Sequence, residues 1–192
     1  MTTTLSIRAP LQVSERELRF LNFYRASELH GGLVLGRLVE HVRDAEMIAR
    51  LTEHSAEEVL HAQLWTETIL AVGGRPRPTS DTYQARYVAV IGPPASLLEV
   101  LALTQVFERS VYRHFVLHLR RPGTHPRVQA TLRRMLADER GHLSWVKEWL
   151  DRQTGARGAA VPALMRRYAA LDAGVRRQLL SDYEWRELAC AS

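Results

Sequence analysis

The sequence predicts an all-α chain: four long helices in a bundle, a long connection between the second and third, and an additional C-terminal helical tail. Three observations carry this. Apolar residues recur near the helical period over long stretches. Gly and Pro gather at a few places, such as Gly73-Gly74, Gly92-Pro93-Pro94 and Pro122-Gly123, as helices with defined breaks require. Two Glu-x-x-His motifs, Glu58-Val59-Leu60-His61 and Glu139-Arg140-Gly141-His142, each fall on such a stretch.

The first helix covers about residues 14–41. Ser14 and Glu17 have the spacing of a capping box, and Leu18, Leu21, Glu28 and Leu35 recur on one side. The second covers about residues 44–72, with Asp44 as N-cap and Gly73-Gly74 as the stop. Its inner face reads Ile48, Leu51, His54, Glu58, His61, Trp65 and Ile69. Residues 73–93 form the long connection. A helix of about 28 residues is roughly 42 Å long. About 20 extended residues at up to ~3.3 Å each can cross that length, so the second and third helices can run parallel. Tyr83, Arg86, Tyr87, Val88 and Val90 would lie extended along the bundle wall. The third helix covers about residues 95–119 and ends at Pro122-Gly123. The fourth covers about 126–153, with Pro126 in its first turn and a break over 154–158. The tail, residues 162–188, carries Leu164, Tyr168, Leu171, Val175, Leu179 and Leu180 at helical spacing. It would pack across the bundle or build a homodimer contact.

At 192 residues, 46% apolar and 7% aromatic, the chain fits a single globular domain, with the bundle in 14–153 and the helical extension in 162–188. The lone cysteine, Cys190, excludes an internal disulfide, a thiolate metal site and a rubredoxin-type iron centre. With no signal-peptide pattern at the start and no apolar run near the roughly 20 residues of a membrane span, the expected location is cytoplasmic. The net charge is +5, carried almost wholly by arginine, since Lys147 is the only lysine. The pairs Arg120-Arg121, Arg133-Arg134, Arg166-Arg167 and Arg176-Arg177 read as solvated helix faces. No aromatic interleaving accompanies them, so nucleic acid is not an expected partner.

The chemistry lies in the order Glu28, Glu58-x-x-His61, Glu108, Glu139-x-x-His142. Positions i and i+3 share a helix face, so each motif can offer a carboxylate and an imidazole to one ion. One carboxylate from each of two helices plus one Glu-x-x-His from each of the other two is how a four-helix bundle holds two iron or manganese ions. A chain with 15 Glu and 8 His contains about 0.6 such motifs by chance, so one would mean little. Two motifs at matched intervals, 30 residues from Glu28 to Glu58 and 31 from Glu108 to Glu139, mean much more. In a metal-free core these carboxylates would repel, so removing Glu58 or Glu139 should not destabilise the metal-free fold.

Over residues 14–153, and above all at Thr52-Glu-His-Ser-Ala-Glu-Glu-Val-Leu-His61 and Ala137-Asp-Glu-Arg-Gly-His142, the chain resembles the ferritin-like di-iron carboxylate superfamily of rubrerythrins and ferritins. The resemblance implies a ferritin-like bundle and two Fe ions, or alternatively Mn or a mixed Mn/Fe pair. It implies that Asp138 hydrogen-bonds His61, and it puts Glu57 in the matching place toward His142, one methylene longer than the usual Asp. Other residues share the level of the site. Tyr24 and Tyr112 would stand near each other as hydrogen-bond donors or redox-active phenols. His54, one turn from Glu58, would act as a proton shuttle or extra ligand. Gly31, Gly32 and Thr104 would border the substrate's approach, two adjacent helical glycines being costly unless space is needed. Trp65, Trp145 and Trp149 read as core.

The expected function is a soluble non-haem di-metal oxidase or oxygenase acting on O2 and a small organic molecule. Its electrons would come from an external donor, because no flavin fingerprint or rubredoxin centre is present. A ferritin-like ferroxidase and a rubrerythrin-like peroxide reductase are the alternatives. Hydroxylation of a modified tRNA base has only the basic pI in its favour.

Overall fold

The computed structural model describes residues 13–185, which places the first residues of the chain, the end of the tail and Cys190 outside the described part. Among the described residues there are six helices and no strand: α1 (Glu15–Val39), α2 (Ala45–Ala71), α3 (Tyr83–Ile91), α4 (Leu97–Arg120), α5 (Pro126–Arg157) and α6 (Ala160–Asp182). None of them is long and apolar enough to cross a membrane.

Ser14 caps α1 by accepting the Glu17 N–H at 3.2 Å, but the expected capping box forms only by half. The Glu17 carboxylate turns inward, where His118 donates to it at 3.2 Å and Arg121 at 2.6 Å. A carboxylate only 3% exposed needs these partners more than the helix end needs a second cap. Asp44 caps α2 by accepting the Met47 N–H at 2.8 Å. The inner stripe of α2 starts at Met47, with Ile48 only half buried, and then follows the expected Leu51, His54, Glu58, His61, Trp65 and Ile69. Gly73, at φ 80°, ends α2 with paired bonds from Gly73 N to Leu70 O and Gly74 N to Ile69 O.

The connection after α2 departs from the extended wall expected of it, since residues 83–91 form a helix. Thr82 caps it by accepting the Ala85 N–H at 3.1 Å. Tyr83 and Tyr87, four residues apart, are buried on one side, while Val88 and Val90 face outward. The expected break over 154–158 narrows to its last residue. α5 runs on to Arg157 and stops where Gly158 takes φ 58°. Gly155 costs a helix interior only about 1 kcal/mol, whereas a left-handed residue ends it. α6 buries Tyr168, Val175, Leu179 and Leu180 against its own chain, in contact with α3, α4 and α5. Its Asp172 accepts hydrogen bonds from Tyr87 of α3 and Ser110 at 2.5 Å of α4.

Cross-helix contacts fix the directions. Gly36 lies beside Ser55, Gly31 beside Glu58 and Gly74 beside Leu18, so α1 and α2 are antiparallel. Glu57 meets His142, His61 meets Asp138 and Thr68 meets Thr131, so α2 and α5 are antiparallel. Glu17 meets His118 and Tyr24 packs on Phe115, so α1 opposes α4 as well.

Candidate metal centre

Four helices bring seven buried metal-ligating side chains to one level. α1 contributes Glu28; α2 contributes His54, Glu58 and His61; α4 contributes Glu108; α5 contributes Glu139 and His142. They form two groups, each with its ligand atoms within 4.8 Å of one another: Glu28, Glu58, His61 and Glu139, and His54, Glu58, Glu108 and His142. Glu58 belongs to both. Glu139 also spans the two, with Oε1 3.9 Å from His61 Nδ1 and Oε2 3.6 Å from His142 Nδ1.

Each motif histidine is held from behind. His61 Nε2 lies 3.3 Å from Asp138 Oδ2, and His142 Nε2 lies 2.7 Å from Glu57 Oε2. The extra methylene of Glu57 therefore does not cost the second contact. These carboxylates aim both Nδ1 atoms into the cluster. There His61 Nδ1 stands 3.7 Å from Glu28 and His142 Nδ1 3.3 Å from Glu58. Those distances are close, yet the buried Nδ1 atoms of His54, His61 and His142 and an Oε2 of Glu108 and of Glu139 make no hydrogen bond. Buried polar atoms without partners are costly. The Nδ1 atoms of His61 and His142 converge with the carboxylate oxygens, a mix of oxygen and nitrogen donors that divalent iron or manganese accepts, while His54 meets the carboxylates with its Nε2.

The electrostatics of the metal-free cluster agree. Burial opposes charge on His61 and His142, but the carboxylates around them win and raise both imidazoles from an ordinary 6.5 to about 10. For His54, burial is likewise overcome, by Glu108 first and Glu58 next, and its pKa is raised to about 9. Burial also works to raise Glu58, but the His54 hydrogen bond and the charges of His54 and His142 hold it at about 2. Glu28 goes the other way: burial, with the Glu58 carboxylate alongside, pushes it well above the usual carboxylate range. The cluster thus keeps protons where cations would otherwise stand.

His54 is placed more deeply than a shuttle at the solvent edge. It is 1% exposed, its Nε2 lies 3.2 Å from both Glu58 and Glu108, and its ring stacks 3.7 Å from that of His142. Trp145 meets its ring edge-on at 5.7 Å.

The structure separates the remaining candidates. Tyr24 borders a cavity of about 10 Å³ with Glu28, Glu58, Glu108 and Glu139, and its buried hydroxyl has no partner. The α4 ring against Tyr24 is Phe115, centroids 4.9 Å apart, rather than the expected Tyr112, which is half buried and lines neither cavity at the cluster. Gly31 and Thr104 line a second cavity of about 340 Å³ that reaches Glu58 and Glu108. Gly32 and His54 do not line it. A Cβ on Gly32 would meet Ser55 O at 2.9 Å and Val59 Cγ2 at 2.8 Å, so this glycine serves the close crossing of α1 and α2. Trp65 is fully buried and Trp145 and Trp149 are half buried, as core residues would be.

Sequence reasoning missed what α3 brings. Tyr83 and Gln84 border the small cavity, and the Tyr83 hydroxyl hydrogen-bonds His114 Nδ1. His114 is wholly buried, and burial, aided by Arg176 and Arg113, lowers its pKa to about 3, so it is a neutral acceptor. Thr82 followed by Tyr at four-residue spacing is the signal that marks this short helix. A larger groove of about 510 Å³, lined by Arg19, Arg75, Arg77 and Asp182 among others, lies away from the cluster and holds none of its ligands.

No protein-family model matches this chain, and no curated protein or solved structure matches it.

Proposed function

We propose that the chain is a ferritin-like non-haem di-metal oxidase or oxygenase, with two iron ions, or manganese in one or both places, held by Glu28, Glu58, His61, Glu108, Glu139 and His142. The observation that carries this is the sharing of Glu58 between two groups of buried ligands, each with an inward Nδ1 that lacks a hydrogen-bond partner. The helix directions support the ferritin-like reading: α2 and α4 both oppose α1, so the connection containing α3 is a crossover between parallel helices. Bound redox-active metals would supply the electrons that reduce O2. The chain's own residues would do the rest. Glu57 and Asp138 fix the imidazoles. Glu58 and Glu139 face both positions. Burial of the cluster excludes bulk water.

The cavity beside Glu58 and Glu108 favours an organic substrate over an iron-storage role. Its walls include Val34, Leu35, Leu38, Val100, Leu103 and Phe107. A hydrated cation gains nothing from such a lining.

The test is metal analysis of the purified protein together with O2 uptake by its iron(II) form. We expect two ions per chain and oxygen consumption that stops on chelation. One zinc per chain with no oxygen uptake would sink the reading, and a particle of 12 or 24 chains that mineralises iron would replace it with storage.

A further inference from the structure

We propose that the 340 Å³ cavity binds a slender apolar molecule with one anionic end, its apolar end at Glu58 and Glu108 and its anion at Arg37. The inference deepens the di-metal reading and rests on it for which end meets the metals. Binding itself is a separate matter.

The cavity is graded from inside to outside. Gly31, Glu58, Thr104 and Glu108 are buried at its inner end, while Arg37, His41 and Val88 are exposed at its mouth. Eight residues of α1 carry the wall from Gly31 to the helix end at Val39, a climb of roughly 12 Å, with His41 just beyond. That matches an extended chain of about ten carbons. The volume stands near the lower limit of the roughly 300–1,000 Å³ range of small-molecule sites, which fits a thin ligand better than a polycyclic one.

Charge decides the orientation. Among the described residues the only carboxylates lining the cavity are Glu58 and Glu108. Four cluster carboxylates balance two divalent cations, so the inner end offers no net attraction for an anion. Moving a carboxylate past apolar walls carries a large desolvation cost. At the mouth the balance reverses: Arg37 is exposed and has no ion-pair partner among the described residues, and the exposed His41 also lines the space. A cationic ligand would meet Arg37 instead of a counter-charge. A neutral chain would leave the arginine unused.

Calorimetric titration of the full chain, metal-free and iron(II)-loaded under argon, tests this with decanoate, 1-decanol and decylamine. Decanoate should bind one per chain at least tenfold more tightly than decanol, and decylamine most weakly. Across hexanoate, octanoate and decanoate each added methylene should strengthen binding roughly two- to fourfold, with no further gain once the cavity is full. Arg37→Ala should weaken decanoate at least fivefold and leave decanol unchanged. Leu103→Trp should abolish binding of both while iron content stays at the wild-type level. Should that variant misfold, Val34→Trp, at a half-buried wall position, serves as the second plug. Equal affinity for decanoate and decanol, indifference to Arg37→Ala, or tighter binding of the amine would each overturn the proposal. Loss of iron binding with decanoate binding intact would instead overturn the di-metal reading. Absence of decanoate binding with normal iron oxidation would overturn only this one.

Discussion

The two ends of the buried Glu/His cluster are written in the same sequence pattern and built differently. At one end Glu28, His61 and Asp138 hold one position. At the other Glu108, His142 and Glu57 hold its counterpart, with His54 added between the carboxylates. The added imidazole draws Glu58 toward its own end through a 3.2 Å contact and holds it ionised, while Glu28 is driven toward its protonated form. A repeated motif therefore fixes which atoms meet, and its neighbours decide that the two positions are unequal. Two ions in such a site would have different affinities and different surroundings for O2.

Removing the shared residue should have the largest effect. Glu58→Ala takes a ligand from both groups, and we expect less than one ion per chain after dialysis, read by metal analysis. The geometry also revises an expectation drawn from the sequence. In the metal-free fold Glu58 is paired with His54, so its loss should lower the metal-free melting temperature. Relief of repulsion belongs to Glu28, and Glu28→Gln should leave the metal-free protein at least as stable as wild type. The opposite ranking in thermal scans would refute the asymmetry.

His54→Ala breaks the comparison at one end only. Metal titration should show one site near its original affinity and a second weakened tenfold or more. Equal weakening of both would mean that His54 acts through Glu58 on the whole cluster.

Protons sharpen the same contrast. His61 and His142 at about 10, and His54 at about 9, bind protons more tightly in the metal-free fold than at their ordinary 6.5. Their contribution to stability is complete below about pH 6.5 and is lost as pH rises toward 10. The metal-free melting temperature should fall across that window, while apparent metal affinity climbs and proton release on binding shrinks. Calorimetry in buffers of different ionisation enthalpy measures the release. A flat profile between pH 6.5 and 10 would show that the histidines are neutral in the metal-free protein.

The outer carboxylates should matter less. Asp138→Asn and Glu57→Gln each remove the charge behind one histidine, and each should cost about 10–100-fold in metal affinity at its own position. If both variants weaken the same titration step, the two ends are not independent.

The smallest expected change in metal binding comes from the adjacent glycines. Gly32→Ala puts a Cβ 2.9 Å from the Ser55 carbonyl, which is backbone and cannot swing away, so stability should drop by about 1–3 kcal/mol with the ligands intact. Gly31→Ala meets Glu58 Oε2 at 2.9 Å, the far end of a side chain. There the fold should hold and metal affinity fall a few-fold. Denaturation curves and metal titrations of the pair separate a packing glycine from a site glycine.

The clustering of Glu58 with His61 and of Glu139 with His142 was legible in the sequence because an i, i+3 pair on a helix shares one face. Asp138 and Glu57, each preceding a motif glutamate, were legible through the resemblance to the ferritin-like superfamily and not through helix geometry. The rest depended on facts that periodicity does not carry. His54 and Glu58 share a face, yet nothing in their spacing says that the imidazole will bridge to Glu108 on another helix. Tyr112 was expected at the site because it lies one turn from Glu108, but spacing along one helix does not say which ring a neighbouring helix will meet, and packing brought Phe115 to Tyr24 instead. α3 was hidden because a nine-residue helix between proline- and glycine-rich segments has too few turns for its period to stand out.

That short helix also links two parts of the molecule that otherwise have separate tasks. Tyr83 and Gln84 close the space beside the ligands, and Tyr87 and Val88 close the larger cavity, while no residue of α3 belongs to either ligand group. From behind, α3 is fastened to the tail by Tyr87 on Asp172 and by Arg86 on Asp182 at 2.8 Å. Substitutions on the face of α6 that meets α3 can therefore alter the space beside the Glu/His cluster without touching it. The shape of the chamber and the make-up of the ligand groups are therefore set by different segments, and one can be altered without the other.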